Sequence, residues 1–264
     1  MATYFEVNNN NQKTAINDTD KMLCLSRCGN IDSVASKKTT ESIKWGGYNS
    51  QKWIAVSIIA KYTITLASSE YLVAVKPPND DRFIFFTEQP SESVVNIIVM
   101  TTSDEADLEI YTSEMEVFVF GESREMDNVP GIQVFNADGE LVFKSSDLLL
   151  NVKTSWNYIT DLTTFDYWEK FNTAPQQIIA GTDDMAIICC ANAAGITFLN
   201  YSKYTPGVFV YGYQNKNNVL QAKPLIVAEE QRNEVYTSYL TGISAVCSAV
   251  VVDVSHMPKT YPHD

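Results

Sequence analysis

The stretch Phe83-Ile84-Phe85-Phe86-Thr87-Glu88-Gln89-Pro90-Ser91-Glu92-Ser93-Val94-Val95-Asn96-Ile97-Ile98-Val99-Met100 decides the fold class. Two apolar runs, rich in β-branched and aromatic residues, flank a polar segment with Pro90 at its centre. Runs of this length bounded by turn formers read as strands, because a buried helix would need a longer apolar segment. The same signature recurs outward from it, at Tyr4–Val7, Trp53–Ile59, Tyr71–Val75, Val117–Phe120, Ile132–Phe135 and Leu141–Phe143. It continues at Met185–Ala191, Ile196–Leu199, Val208–Tyr213, Pro224–Ala228 and Ala249–Val254. A short helix is expected only within Thr163–Phe171, where Phe165, Trp168 and Phe171 are spaced by three. The chain therefore reads as all-β.

An internal repeat organises these strands. Tyr4–Leu25 lies on Gly131–Val152 without a gap, each residue 127 positions before its counterpart, with identities at Val7/Val134, Asn9/Asn136, Asp20/Asp147 and Leu23/Leu150. Each copy reads strand, Asn/Asp turn, strand, Asp/Ser turn, strand, and the turn residues are those that tolerate left-handed geometry. Both copies close alike, on Val117–Phe120 and on Val251–Val254. The expectation is two tandem β-sandwich, jelly-roll-like domains arising from an internal duplication, at residues 1–122 and 130–264, joined by a polar linker at 123–129. One larger sandwich or barrel built from the whole chain is the alternative. Of the two repeated turns, only Ala137-Asp138-Gly139 has a glycine to take a positive φ cheaply.

Composition narrows function by exclusion. The 264 residues carry 19 Lys+Arg against 32 Asp+Glu, a net charge of −13, which argues against a nucleic-acid partner because phosphate neutralisation needs clustered cations. From Asp104 to Asp127 there are nine acidic residues and only Arg124 as a cation. That run reads as a solubilising face. Both histidines, His256 and His263, fall in the last nine residues, so a His-based metal site or a Ser/His/Asp triad in the body of the chain is not expected. The acidic pairs Asp80-Asp81, Asp104-Glu105, Asp183-Asp184 and Glu229-Glu230 are adjacent, and neighbours on a strand point to opposite faces, so neither a paired-carboxylate active site nor a calcium loop is read there. The common nucleophile, phosphate-loop and zinc motifs are missing, and no cofactor is implied. The five cysteines read as small buried hydrophobes of a reducing compartment, without disulfides. With no apolar segment of about 20 residues, membrane insertion is not expected, and the first twenty residues carry no signal-peptide pattern.

Aromatic residues are the remaining resource. Trp45 with Tyr48, Trp156 with Tyr158, and Trp168 with Phe171 stand among polar residues and are the candidate interaction positions. Rings beside Asn and Asp anchor protein interfaces or stack on sugars, although core packing also uses them.

The segment Gly131-Ile132-Gln133-Val134-Phe135-Asn136-Ala137-Asp138-Gly139-Glu140-Leu141-Val142-Phe143-Lys144-Ser145-Ser146-Asp147 resembles the opening of small tail-associated virion proteins of tailed bacteriophages. Those begin with a glycine, an apolar-x-Val-aromatic strand, Asn-x-x-Gly, an apolar strand and a Ser/Asp pair. The resemblance covers about 20 residues, and Asn11-Gln12 stands where the second copy has Asp138-Gly139. It implies a non-enzymatic component of a tail tip, baseplate, adaptor or fibre, made in the host cytoplasm and located in the virion. It also implies assembly with other tail proteins in a ring or trimer. A receptor- or carbohydrate-binding module of the particle, contacting a host surface glycan through the Trp-containing loops, is the second reading, and a polysaccharide depolymerase the third.

Overall fold

The computed structural model describes residues 6–8, 14–17, 22–44, 56–68, 70–101, 105–123, 131–136, 138–159, 176–181, 183–191, 194–198, 206–229 and 246–261. In chain order the first half contributes β1 (Glu6–Asn8), β2 (Thr14–Asn17), β3 (Leu23–Asn30), α1 (Ile31–Val34), β4 (Lys37–Lys44), β5 (Val56–Thr65), β6 (Glu70–Lys76), β7 (Asp80–Ser91), β8 (Val94–Thr101), α2 (Glu105–Glu114) and β9 (Glu116–Glu122). The second contributes β10 (Gln133–Phe135), β11 (Leu141–Lys144), β12 (Val152–Ile159), β13 (Gln176–Ala180), β14 (Met185–Ala191), β15 (Ala194–Phe198), β16 (Pro206–Lys216), β17 (Val219–Glu229) and β18 (Val246–Asp253). The fold is all-β, as the sequence indicated.

One large sheet has six strands in the order β12-β18-β14-β6-β9-β3. Two four-stranded sheets, β4-β5-β8-β7 and β13-β17-β16-β15, form the facing layer. All strand ladders within these sheets are antiparallel. β6 meets β14 at Val75 and Ile187, so the six-stranded sheet takes strands from both halves of the chain. Residues 124–130, where most of the expected linker falls, lie outside the described residues.

Why the strands read as unbroken apolar runs is visible in the burial. Val73, Val75, Val117, Val119, Ile187, Ala249 and Val251 face the main core, where they meet Tyr62, Ile64, Phe83, Phe85, Ile97, Val99, Tyr211 and Tyr213 of the opposite layer. Their neighbours Ala74, Phe118, Phe120, Ala186, Ile188 and Val252 point the other way, into a second, smaller core closed by Leu148, Leu150, Met257 and Tyr261. A strand buried on both faces has no polar alternation to show.

The two hairpins detected as a repeat stand outside these sheets, each as its own two-stranded sheet. Glu6 pairs with Asn17, Val7 with Ile16 and Asn8 with Thr14; Gln133 pairs with Lys144, Val134 with Phe143 and Phe135 with Leu141. Even the register shift falls at the matching step, Val7/Asn8 and Val134/Phe135. Gly139 has φ +81°, the positive value expected of it.

Two departures have simple causes. The acidic stretch after Asp104 contains a helix, α2, held by Leu108 and Tyr111, both buried, with the Tyr111 ring stacked on Phe83 at 4.2 Å. Leu108 and Tyr111 are its buried large apolar residues while Ile110 is exposed, so no clean helical stripe is printed on the sequence. The expected helix at Thr163–Phe171 lies outside the described residues.

At the joint between the facing sheets, β7 lies against β16. A Cβ on Gly212 would sit 2.7 Å from Ile84 Cδ1 and 3.0 Å from the Phe85 carbonyl oxygen, so only glycine lets the strands approach this closely. The Phe85 and Tyr213 rings are 5.9 Å apart beside it. Gly212→Val is expected to destabilise the protein by about 1–3 kcal/mol through overpacking, read as a lower urea midpoint. An unchanged midpoint would show that β7 and β16 do not meet as described.

Candidate functional site

Of the candidate interaction residues, Trp45, Tyr48, Trp168 and Phe171 lie outside the described residues. Trp156 and Tyr158 are placed. They occupy alternate positions of β12, an end strand of the six-stranded sheet, and so share one face. Their rings stack at 6.0 Å with an interplanar angle of 17°, and Tyr158 leans on Tyr211 at 6.0 Å. Both are half-buried against the main core, while the alternating neighbours Ser155 and Asn157 are exposed. The pair thus holds the outer strand to the core and leaves only part of each ring at the surface.

The hairpin β10–β11 presents a different surface. Asn136 organises its tip: the side-chain oxygen accepts from the amides of Asp138 at 3.0 Å and Glu140 at 2.8 Å, and its side-chain amide donates to Glu140 Oε2 at 3.0 Å. Val134, Leu141 and Val142 are buried, but Ile132 is 66% exposed and Phe135 43% exposed. Sequence reasoning counted Ile132 and Phe135 only as strand residues. Their outward placement depends on the hairpin standing apart from the large sheets, which no local pattern encodes.

Of the acidic pairs, Asp80 and Asp81 at the start of β7 diverge, as strand geometry requires. Asp80 Oδ2 receives Arg82 Nη2 at 2.6 Å, whereas Asp81 Oδ2 receives Lys216 Nζ at 2.5 Å. Arg82 also reaches Asp107 on α2 at 2.7 Å, and Lys76 lies 3.3 Å from Glu116 and 3.6 Å from Asp184. Of these pairs, Lys216–Asp81 and Lys76–Asp184 join the two halves, and the others lie within the first. Hydrogen bonds from Arg82 and from Lys216 hold the carboxyls of Asp80 and Asp81 below the ordinary value. Asp253 is lowered too, first by its hydrogen bonds from Ser255 and then by Lys153 at 2.9 Å.

A buried carboxylate escaped the sequence reading. Glu70 accepts from Ser26 Oγ at 2.5 Å and from the Ala67 amide at 2.8 Å, with Arg27 Nη2 at 3.4 Å. Arg27 Nη2 also donates to the Thr65 carbonyl at 2.5 Å. Both Glu70 oxygens are engaged within the protein, so the network ties the turn between β5 and β6 to β3. No acidic neighbour or spacing motif marks Glu70 in the sequence.

Cysteine placement is mixed. None of the five cysteines is in a disulfide; Cys24, Cys28 and Cys247 are buried, Cys189 is intermediate and Cys190 is exposed. Cys190 departs from the buried expectation because the β14–β18 register shifts between Cys189 and Ala191 and leaves it without a paired residue. Burial raises the Cys189 and Tyr213 ionisations. The Tyr213 hydroxyl donates to the Ser248 carbonyl at 2.8 Å, which satisfies it inside the core. Among the described residues no group of three or more His, Cys, Asp and Glu is arranged to hold a metal ion. Among them, too, no helix is long and apolar enough to cross a membrane.

No family model, curated protein or solved structure matches the chain.

Trp156→Ala is expected to lower stability by about 2 kcal/mol, less than for a fully buried ring because the indole is only half-buried. A loss below a few tenths, measured by urea unfolding, would free Trp156 from a packing role. The three lowered carboxyls set an acid limit. Stability from a depressed carboxyl is present above its unfolded value, about 4, and is lost as pH falls through the folded value. The urea midpoint should therefore drop steeply below about pH 4, and Asp253→Asn should make that drop shallower. An identical pH profile in the variant would remove Asp253 from the account.

Proposed function

We propose that this chain is a structural protein of a bacteriophage tail, acting in protein–protein assembly as a tail tip, baseplate, adaptor or fibre component. The observation that carries this reading is the β10–β11 hairpin. The segment that resembles the opening of tail-associated virion proteins forms a two-stranded sheet of its own, with Val134, Leu141 and Val142 buried and Ile132 and Phe135 exposed. Apolar side chains left exposed on this hairpin suit a contact with another protein. The matched register of β1–β2 supports an origin by duplication, which would give the particle two such elements per chain. Symmetric rings or trimers would multiply these individually weak contacts.

The test is composition of purified particles. Mass spectrometry of density-purified virions should find the chain at a fixed multiple relative to the major tail proteins. Ile132→Asp with Phe135→Asp should leave the purified chain folded by circular dichroism and reduce its incorporation at least about tenfold, as expected for interface anchors. Absence from particles overturns the reading. Tight binding of the purified chain to a host glycan, with assembly intact in its absence, would replace it with the receptor-binding alternative.

A further inference from the structure

We infer that the segment Ser255–Tyr261, which follows β18, is a releasable strap over the outer edge of β3, and that the seat it covers accepts the same segment of a second copy of this chain. The seat is made by β3, the end strand of the six-stranded sheet. Cys28 and Tyr261 exchange main-chain hydrogen bonds, Cys28 N to Tyr261 O at 2.5 Å and Tyr261 N to Cys28 O at 3.1 Å. The Cys28 thiol donates to the Pro258 carbonyl at 3.0 Å. Met257 and Tyr261 pack on the smaller core that includes Leu25, Cys28, Phe118 and Phe120. Farther along the same edge, Leu25 N donates to Leu148 O at 2.7 Å and Leu150 N to Leu23 O at 2.9 Å, so that stretch of β3 is closed by a different segment.

The two sides of β3 differ sharply in how they are held. Its inner edge is laddered to β9 from Leu23 through Asn30, whereas the strap meets it as a single bridge at Cys28 and Tyr261. Ser255, His256, Lys259 and Thr260 are exposed, and Met257, Pro258 and Tyr261 are only half-buried. Opening the strap therefore costs a small set of contacts while the ladders stay intact, which places it at the low-energy end of local unfolding. Its removal uncovers main-chain groups of Cys28 beside an apolar floor, the template that strand addition requires. The segment that fits this template is already known, because it sits there in the same chain. A second copy offers the identical segment, and exchange remakes every contact, as in domain swapping. Neither step depends on the chain belonging to a phage tail.

The native cysteines report the first step. Cys190 is exposed, Cys28 lies under the strap, and Cys247 is sealed in the main core. Alkylation of the folded full chain with N-ethylmaleimide, followed by peptide mass spectrometry, should modify Cys190 first. Cys28 should follow at least about tenfold faster than Cys247, and Tyr261→Ala should speed Cys28 by about tenfold more without changing Cys247, since losing the Tyr261 contacts favours local opening. Cys28 and Cys247 reacting in step in the unmodified chain would mean the strap opens only with global unfolding, and the inference falls. For the second step, concentrated protein warmed to just below its unfolding transition and cooled should yield a dimer by sedimentation velocity, and Tyr261→Ala should diminish it. A chain that stays monomeric, or a dimer undiminished in Tyr261→Ala, overturns the exchange.

Discussion

Burial of the six-stranded sheet on both faces is the constraint from which the rest of the structure follows. Its inner strands β6, β9, β14 and β18 carry apolar side chains to either side, so each face needs a cover. The larger cover is the layer formed by β4-β5-β8-β7 and β13-β17-β16-β15. The smaller is assembled from non-strand pieces, Leu148 to Leu150 and Met257 to Tyr261, which wrap back over β3. At the usual worth of buried apolar surface, a side chain left uncovered here forfeits about 1.5–3 kcal/mol. Exposing even a few would consume a large share of a domain's net stability.

That double burial explains how the halves are joined. Strand order runs β3, β9, β6 from one edge and β12, β18, β14 from the other, so β6 and β14 meet in the middle, where a free edge would otherwise expose main-chain groups and apolar faces together. In the opposite layer Gly212 permits β7 and β16 to close up, and Asp81 with Lys216 marks the end of that joint. The pairs Lys76–Asp184 and Lys216–Asp81 cross between the halves at the surface, where salt screens them. They orient the joint more than they stabilise it.

Legibility in the sequence followed how closely each element obeyed a local rule. β7, β8, β9 and β18 were evident because double burial writes continuous apolar runs. β4, Lys-Lys-Thr-Thr-Glu-Ser-Ile-Lys, was not, since an end strand satisfied by its ladder to β5 needs no apolar pattern. β12 is hidden for a similar reason: Trp156 and Tyr158 stand out as an aromatic cluster, but the alternating polar residues Ser155 and Asn157 mask the strand that carries them. α2 was hidden by its acidity. Among candidate contact residues, the rings of Trp156 and Tyr158 proved to be partly core, and the exposed Ile132 and Phe135 were overlooked, because exposure belongs to the assembled fold and not to residue type.

By itself the sequence determined the all-β class, the hairpin register repeated at 127 residues, the positive φ of Gly139 and the divergence of Asp80 and Asp81. Each is a local matter, governed by period-two alternation, turn chemistry or the backbone freedom of glycine. Only the tertiary structure decided that strands of both halves share one sheet, that Glu70 is buried against Ser26 and Arg27, and that Tyr261 seals the edge at Cys28. Those pairings join residues from 43 to more than 200 positions apart. Which distant edge or face a strand covers is chosen by the total apolar surface buried across the whole chain, a quantity no single segment contains.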